Sequence, residues 1–311
     1  MQYFYTFKTH VKKRWMNRTI LDVLVSEFSM YDEDYYIEAI RLGVIRINKQ
    51  KCSIDHILKG KELMTHTIHL HEPDQPKIEV IADEGSYIVV NKPSGIPCHP
   101  VGAYNHYSLT KTLFGNKKVG CVNRIDLPTS GVVIVALKNR EKLHKRLKNS
   151  SKIYLAKVEG DFLDHIEVDK PILEGKGTTI GCVSETGKAS KTVFKKVQYK
   201  DGYSLIECHL HSGRTHQIRI HLNYLGYPIV NDFIYGKEKS PMTYKTREYC
   251  DVNTDNYEDK EAYEFMLNNC YGENNRTFLL KDKFICLHAW KYTFNEKVYE
   301  ASLPEWAKKF E

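Results

Sequence analysis

One short loop of the sequence places an acidic residue in a rigid setting. Asp126 follows a predicted short strand, residues 120–125, and precedes a Pro-Thr-Ser-Gly turn at residues 128–131. A carboxylate that is held in place is suited to attack, or to stabilise, a reacting carbon atom. An ordinary turn capped by the Asp126 side chain fits the same residues, and the spacing alone favours that second interpretation.

A second segment, residues 213–222 (G-R-T-H-Q-I-R-I-H-L), concentrates two arginines and two histidines in one turn and helix. Arg219 is adjacent to the predicted apolar face of this helix. A buried arginine needs a carboxylate, and its planar guanidinium suits a bidentate pair, so we expect Arg219 to contact Asp126. His216 and His221 also resemble metal ligands, but no Cys, Asp or Glu set stands at ligand spacing. The sequence therefore predicts no metal site.

Tyr154 is the third residue with a chemical interpretation. It lies in a predicted strand, residues 152–160. A tyrosine in a strand usually belongs to the core or to a cross-strand pair. The same side chain can also stack on a nucleobase that has been lifted out of its helix. The residues alone leave both interpretations open.

The elements before these residues predict a small basic α/β module over residues 1–76. Residues 18–28 and 35–43 have the apolar spacing of helices, and residues 44–48 alternate like a strand. Basic residues cluster around these elements, namely Arg14, Arg18, Arg41, Arg46, Lys49 and Lys51. Such a face suits contacts with RNA phosphates, which give affinity without reading sequence. The alternative is a solvated face on a structural subdomain.

A second domain is predicted over residues 77–311, after a linker with two prolines at residues 72–78. A helix is predicted at residues 140–147. Strands are predicted at residues 87–91, 120–125, 132–137, 152–160, 190–199, 203–210 and 284–294. Residues 237–283 hold 10 acidic and 8 basic residues, and we interpret this segment as an acidic insertion.

The composition limits the class of protein. A chain of 311 residues, of which 41% are hydrophobic and 27% charged, is expected to fold into about two globular domains. No apolar run approaches the ~20 residues that span a bilayer, which excludes an integral membrane protein. The net charge is +7; residues 237–283 carry −2, so the others carry +9, which favours a nucleic-acid partner.

Eight scattered cysteines without C-x-x-C spacing indicate a reducing compartment. We expect the cytoplasm, with the nucleus and the mitochondrion as alternatives.

In this order and spacing, the three features resemble the RluA-type family of pseudouridine synthases. Residues 123–131 are similar to that family's H-R-L-D-x-x-T-S-G motif, and residues 213–222 are similar to its G-R-T-H-Q-I-R-x-H-L motif. Further similar stretches are residues 92–95 (K-P-S-G), 225–229, 232–236 (D-F-I-Y-G) and 287–289 (L-H-A). Asn123 departs from the family's usual histidine, and the acidic insertion is atypical. The resemblance is strongest to the eukaryotic branch that modifies position 32 of tRNA.

The resemblance implies the α+β pseudouridine synthase fold, with a mixed, mostly antiparallel central sheet flanked by helices. It also implies that the N-terminal module is an RNA-binding domain of the ribosomal-protein type. Asp126 would be the catalytic aspartate and Arg219 its partner, while Tyr154 would stack on the uracil and serve in proton transfer. Arg124 would take the space of the extruded uridine. Further RNA contacts are expected from Thr129, Arg214, His216, Gln217, Arg18, Arg41 and Arg46.

The sequence thus predicts an RNA pseudouridine synthase, an isomerase, with position 32 of the tRNA anticodon stem-loop as its target. One alternative is a synthase that acts on rRNA or mRNA. Others are an RNA-binding protein without catalysis and, more remotely, a glycoside-cleaving enzyme with paired carboxylates. RNA is the expected partner of a monomeric chain, with no membrane and no metal or organic cofactor. The P-C-x-x-C zinc motif that a fused deaminase needs is absent from the sequence, so we expect no deaminase activity.

Overall fold

The computed structural model of the protein describes residues 2–28, 30–72, 77–102, 104–147, 150–175, 180–237, 259–270 and 284–310. In chain order its strands are β1 (Gln2–His10), β2 (Ile45–Ile47), β3 (Leu63–His71), β4 (Glu79–Asp83), β5 (Tyr87–Lys92), β6 (Gly120–Cys121), β7 (Ser130–Ala136), β8 (Lys152–Glu159), β9 (His165–Asp169), β10 (Ile172–Leu173), β11 (Cys182–Val183), β12 (Lys191–Lys200), β13 (Tyr203–Leu210), β14 (Leu287–Phe294) and β15 (Lys297–Glu300). Its α-helices are α1 (Ile20–Glu27), α2 (Glu33–Arg41), α3 (Leu109–Phe114), α4 (Arg140–Arg146), α5 (Gln217–Tyr224), α6 (Lys260–Asn268) and α7 (Glu305–Lys308). None of these described helices is long and apolar enough to cross a membrane.

The chain divides into two compact units. The first contains residues 1–73 and 242–280, and the second contains residues 74–241 and 281–311. The sequence predicted the boundary between residues 76 and 77; residues 73–76 of the predicted linker lie outside the described residues. The sequence-based prediction also assigned all of residues 237–283 to the second domain. In the structure, α6 from that segment is part of the first unit.

The first unit contains a three-stranded sheet in the order β1–β3–β2, in which both pairs are antiparallel. Two predicted helices, α1 and α2, are present, and each has a side-chain cap. The Thr19 side chain accepts a hydrogen bond from the Asp22 amide, and the Asp32 side chain accepts one from the Tyr35 amide. β2 is also confirmed, whereas β1 was not predicted because its sequence, Q-Y-F-Y-T-F-K-T-H, lacks a sustained alternation of apolar and polar residues.

α6 completes the apolar core of the first unit. Ala262 and Met266 are buried in the same cluster as the apolar residues of α1 and α2. Phe265 stacks on Tyr35 of α2, with ring centroids 5.1 Å apart. Burial of such aromatic surface stabilises the packed state, so α6 belongs energetically to the N-terminal elements although it follows them by more than 200 residues.

The second unit is built around one ten-stranded sheet. Its main path is β4–β5–β7–β14–β8–β13–β12–β9, with β6 paired to β7 and β15 paired to β14. β7 and β14 are parallel, and the other pairs among its described strands are antiparallel. The predicted α+β class, with a mixed and mostly antiparallel sheet, is therefore confirmed.

β7 and β14 lie at the centre of this sheet and approach each other closely at Gly131. This residue has a φ of +115°, and it is opposite Ala289 in the register. A Cβ atom on Gly131 would lie 2.2 Å from the Ala289 carbonyl oxygen, so only glycine fits there. Next to this contact, Ser130 Oγ lies 2.8 Å from His288 Nδ1. The S-G motif on β7 and the L-H-A motif on β14 thus lie opposite each other in one strand pair.

Candidate active site

The loop that carries Asp126 is fixed through its backbone. The Thr129 amide donates a hydrogen bond to the Asp126 carbonyl at 3.1 Å, which closes the turn. Lys92 is fully buried, and its Nζ donates to the carbonyls of Ile96 and Leu127 at 2.8 and 3.2 Å. Burial lowers the pKa of Lys92 to about 8. The Asp126 side chain itself remains 26% exposed, so a rigid backbone presents an accessible carboxylate.

Arg219 of α5 lies between two carboxylates. Its Nη1 donates to Asp126 Oδ2 at 3.0 Å, so the predicted pair is present. Its Nε and Nη2 donate to the two oxygens of Asp232 at 2.7 and 2.9 Å. The side chain is only 1% exposed. Burial lowers the pKa of Arg219, but the hydrogen bonds to Asp232 and the charge of Asp126 outweigh burial and raise it. Arg219 is therefore a permanent cation beside the Asp126 carboxylate.

Asp232 is the residue of this group for which no role was predicted from the sequence. Its side chain is completely buried, and Oδ1 also accepts hydrogen bonds from the amides of Ile234 and Tyr235, each at 3.0 Å. Both of its oxygens are thus occupied within the protein. The sequence did contain one signal for this role, namely the position of Asp232 in the D-F-I-Y-G motif. An acidic residue in a family motif close to a buried arginine is a candidate partner for that arginine.

His216 also faces Asp126. Its Nε2 lies 3.7 Å from Asp126 Oδ2, and its Nδ1 lies 3.0 Å from the Tyr235 hydroxyl. Burial lowers the pKa of His216, and the charge of Asp126 opposes this shift only in part. The imidazole is therefore neutral at pH 7. Its backbone has a φ of 57°, in the left-handed region, where non-glycine residues are uncommon and often functional.

Tyr154 on β8 forms a hydroxyl pair with Tyr292 on β14. The two oxygens are 3.0 Å apart, and Tyr154 is 7% exposed. Burial, Tyr292 and the Asp126 carboxylate raise the pKa of Tyr154 well above its ordinary value, so the phenol keeps its proton at neutral pH. Tyr292 is also hydrogen-bonded to the Asn123 side chain. The Asn123 amide makes two further bonds to the β7 backbone, at 3.1 and 2.8 Å, so this departure from the family motif has a structural function.

The predicted RNA-contacting residues of the second unit lie in different environments. Arg124 is exposed, two residues before Asp126. Thr129 is buried at 1% exposure, and Arg214 Nε donates to the Ala189 carbonyl at 3.2 Å. Gln217 is 3% exposed, and its amide is bonded on both sides to protein groups, which are Lys191, Thr192, Ser212 and Arg214. Gln217 therefore holds the turn before α5, and its contact with RNA stays a prediction. The sequence shows its polarity but not its burial.

The arginines predicted to bind RNA in the first unit already have partners within that unit. These pairs are Arg18 with Asp22, Arg41 with Glu38 and Glu261, and Arg46 with the Gly43 carbonyl. Acidic side chains of the same unit thus balance much of the basic face that the sequence predicted. Surface pairs of this kind contribute little stability, so a phosphate can compete for the same guanidinium groups.

The stretch of chain that carries this carboxylate and the buried arginine is similar in sequence to known RNA-modifying proteins. A family model described as RNA pseudouridylate synthase matches residues 86–224, which contain Asp126, Tyr154 and Arg219 but not Asp232. RNA pseudouridine synthase 7 of Oryza sativa subsp. japonica is 30% identical over 349 residues, covering 98% of this chain and 88% of that protein. The chain belongs to the RNA pseudouridine synthase family, and the predicted resemblance is confirmed.

Two relatives from Saccharomyces cerevisiae differ in the position that their names give. The mitochondrial tRNA pseudouridine(32) synthase is 36% identical over 251 residues, which cover 76% of this chain and 54% of that protein. The tRNA pseudouridine(31) synthase is 29% identical over 377 residues, which cover 96% of this chain and 92% of that protein. The chain thus spans about half of the first relative and most of the second.

Proposed function

We propose that the protein converts a uridine of tRNA to pseudouridine and that Asp126 is the catalytic residue. The observation that carries this proposal is the chain of contacts from buried Asp232 through Arg219 to the accessible Asp126. A preorganised carboxylate of this kind acts without a reorganisation cost at the moment of reaction. Family membership supports the reaction, because the required aspartate, tyrosine and arginine are all present.

In the proposed reaction, the uridine leaves the helical stack at a cost of ~a few kcal/mol, and Arg124 fills the gap. The N1–C1′ bond breaks, the uracil turns while stacked on Tyr154, and the C5–C1′ bond forms. The C5 proton is then lost and N1 gains a proton, so the product is an isomer of the substrate.

Asp126 acts on the sugar in this scheme, either by attack on C1′ or by assisting proton loss at C2′. Arg219 and His216 both approach Oδ2, and no hydrogen bond from the described residues reaches Oδ1. Oδ1 is therefore the oxygen assigned to the sugar. Asp232 is not suited to be the second acid of a glycosidase, since both of its oxygens are occupied by Arg219 and backbone amides.

The test is tritium release from C5-labelled uridine in bulk tRNA. Asp126→Asn is expected to lower the rate by about 10³-fold or more while tRNA affinity stays near wild type. Asp164→Asn, at an aspartate that is 91% exposed, is the matched control and should keep full activity. A wild-type protein that binds tRNA but releases no tritium would instead indicate a binding protein without catalysis.

Position 32 of the anticodon stem-loop is the proposed target, supported by the name of the 36% identical yeast relative. Position 31 is the adjacent alternative, from the name of the second yeast relative. Mapping of pseudouridine across cellular RNA, with and without this protein, distinguishes the two positions. Loss of pseudouridine from rRNA or mRNA alone would contradict the tRNA assignment.

We also propose that the protein works as a monomer in the cytoplasm, with the mitochondrion as the alternative that the yeast relative's name suggests. The seven described cysteines are all free thiols, which fits a reducing compartment. Light scattering of the purified protein tests the monomer, and microscopy of a tagged chain tests the compartment.

A further inference from the structure

We propose a zinc site in the first unit, formed by His69, His71 and Cys270. One potential ligand atom from each residue lies within 4.8 Å of the other two. His69 and Cys270 are each 3% exposed, and His71 is partly buried. No residue of this site belongs to the proposed active site, so the proposal stands independently of the proposed function.

The fold brings the three residues together from distant parts of the chain. His69 and His71 are two residues apart in β3, so both side chains are on the same face of the strand. Cys270 follows α6 and is 201 residues beyond His69. Phe4 packs on the His69 ring, with centroids 4.8 Å apart, and so limits the directions in which the imidazole can turn. This separation explains why the sequence predicted no metal site.

The three ligand atoms already contact one another through His69. His69 Nδ1 lies 3.0 Å from Cys270 Sγ and 3.2 Å from His71 Nε2. A neutral imidazole nitrogen has one hydrogen or one lone pair, so it forms one of these contacts as a hydrogen bond. The Cys270 thiol donates its own hydrogen to the Leu267 carbonyl at 2.8 Å. A metal ion between the three atoms would instead use a lone pair from each.

The ligand set selects zinc. Two imidazoles and one thiolate are typical Zn²⁺ ligands, with bonds of about 2.0–2.1 Å to nitrogen and about 2.3 Å to sulfur. Tetrahedral coordination with these bonds separates the ligand atoms by about 3.3–3.6 Å, close to the 3.0 and 3.2 Å that separate His69 Nδ1 from Cys270 Sγ and from His71 Nε2. Water would fill the fourth position. Binding replaces the thiol proton, which passes to solvent, and forms the Zn–S bond while the hydrogen bond to Leu267 is lost. The bound ion would tie the end of α6 to β3.

The test uses the full chain without a polyhistidine tag, stripped with a chelator and reloaded with Zn²⁺ or Co²⁺ alone. Wild-type protein is expected to retain one equivalent of zinc through gel filtration, measured by elemental analysis. With Co²⁺ it should show a thiolate-to-cobalt charge-transfer band. Cys270→Ser should remove that band and weaken zinc binding at least about tenfold. Cys182→Ser, at an exposed cysteine of the second unit, should change neither.

Wild-type protein that retains no zinc and shows no charge-transfer band overturns the proposal without reference to any variant. A Cys270→Ser protein with wild-type zinc affinity also overturns it. His71→Asn, at a partly exposed position, provides a second ligand variant if Cys270→Ser fails to fold. It too is expected to weaken zinc binding by at least about tenfold.

Discussion

At the scale of single residues, the candidate site depends on how one arginine is divided between two aspartates. Asp232 takes Nε and Nη2 of Arg219 and leaves Nη1 for Asp126. Because Asp232 is locked by backbone amides, the guanidinium plane is locked as well. Lysine would not substitute for Arg219, since a single ammonium group cannot hold both carboxylates in fixed directions. Asp232 is therefore a positioning residue.

Asp232→Asn is expected to destabilise the protein by about 3–5 kcal/mol, because it leaves the buried guanidinium without its bidentate partner. The same variant should have a lower kcat and a nearly unchanged KM, because Asp126 loses its fixed orientation. Urea unfolding and steady-state kinetics measure the two effects. Asp161→Asn, in a surface pair with Lys196, is the control and should cost no more than about 1 kcal/mol. Wild-type kcat in Asp232→Asn would contradict the positioning role.

At the scale of elements, the parallel pair β7–β14 links the loop after Asp126 to the late L-H-A motif. β7 begins at Ser130, directly after the Asp126 turn, and His288 of β14 is opposite Ser130 in the register. Burial lowers the pKa of His288 to about 4, so the folded protein holds this imidazole neutral. The contact between His288 and Ser130, directly after the Asp126 turn, is therefore sensitive to acid.

His288 should make stability depend on pH in a predictable direction. Its pKa is about 4 in the folded state and 6.5 in the unfolded chain, so the unfolded chain binds the proton first as the pH falls. The folding stability that arises from this difference in the pKa of His288 is fully present above pH 6.5. It is lost towards pH 4, by about 3 kcal/mol over that window. Urea unfolding of His288→Asn should show a correspondingly smaller pH dependence. His165→Asn, at an exposed histidine, should keep the wild-type slope, and an unchanged slope in His288→Asn would contradict the prediction.

At the scale of the whole molecule, part of the basic charge behind the net +7 is already paired with acidic side chains. In the first unit, acidic residues of α1, α2 and α6 occupy the guanidinium groups of Arg18 and Arg41. The proposed RNA contact of Arg41 thus requires an exchange of Glu38 and Glu261 for a phosphate. That exchange is inexpensive at the surface and depends on salt.

If Arg41 contacts tRNA, Glu38→Gln combined with Glu261→Gln should strengthen tRNA binding and steepen its salt dependence. The logarithmic slope should increase by about one unit for one additional phosphate contact. Filter binding over a range of salt concentrations measures this slope. Glu296→Gln combined with Glu305→Gln removes the same charge from the second unit as a control. Equal changes in the two double variants would show that only net charge matters.

The parts of the fold that were predictable are those encoded by neighbouring residues. α1, α2 and β7 follow from apolar spacing and caps, and the motif residues Asp126 and Arg219 lie where their resemblance places them. The remaining features depend on contacts between distant segments. Asp232 as the second partner of Arg219, the Tyr154–Tyr292 pair and the place of α6 arise only when strands and helices pack. The spacing of apolar and polar residues along the chain reports local structure and carries no information about such contacts.

The division of the first unit between two stretches of chain sets the timing of its folding during synthesis. Phe265, which covers Tyr35, is made roughly 230 residues later, about 12–46 s at ribosomal rates of about 5–20 residues per second. The second unit is also completed late, because β14 at the centre of its sheet is synthesised after α6. A ribosome that stops before α6 therefore releases a chain with two incomplete cores. The apolar surfaces of both cores therefore stay uncovered in a newly made chain until these late segments have emerged.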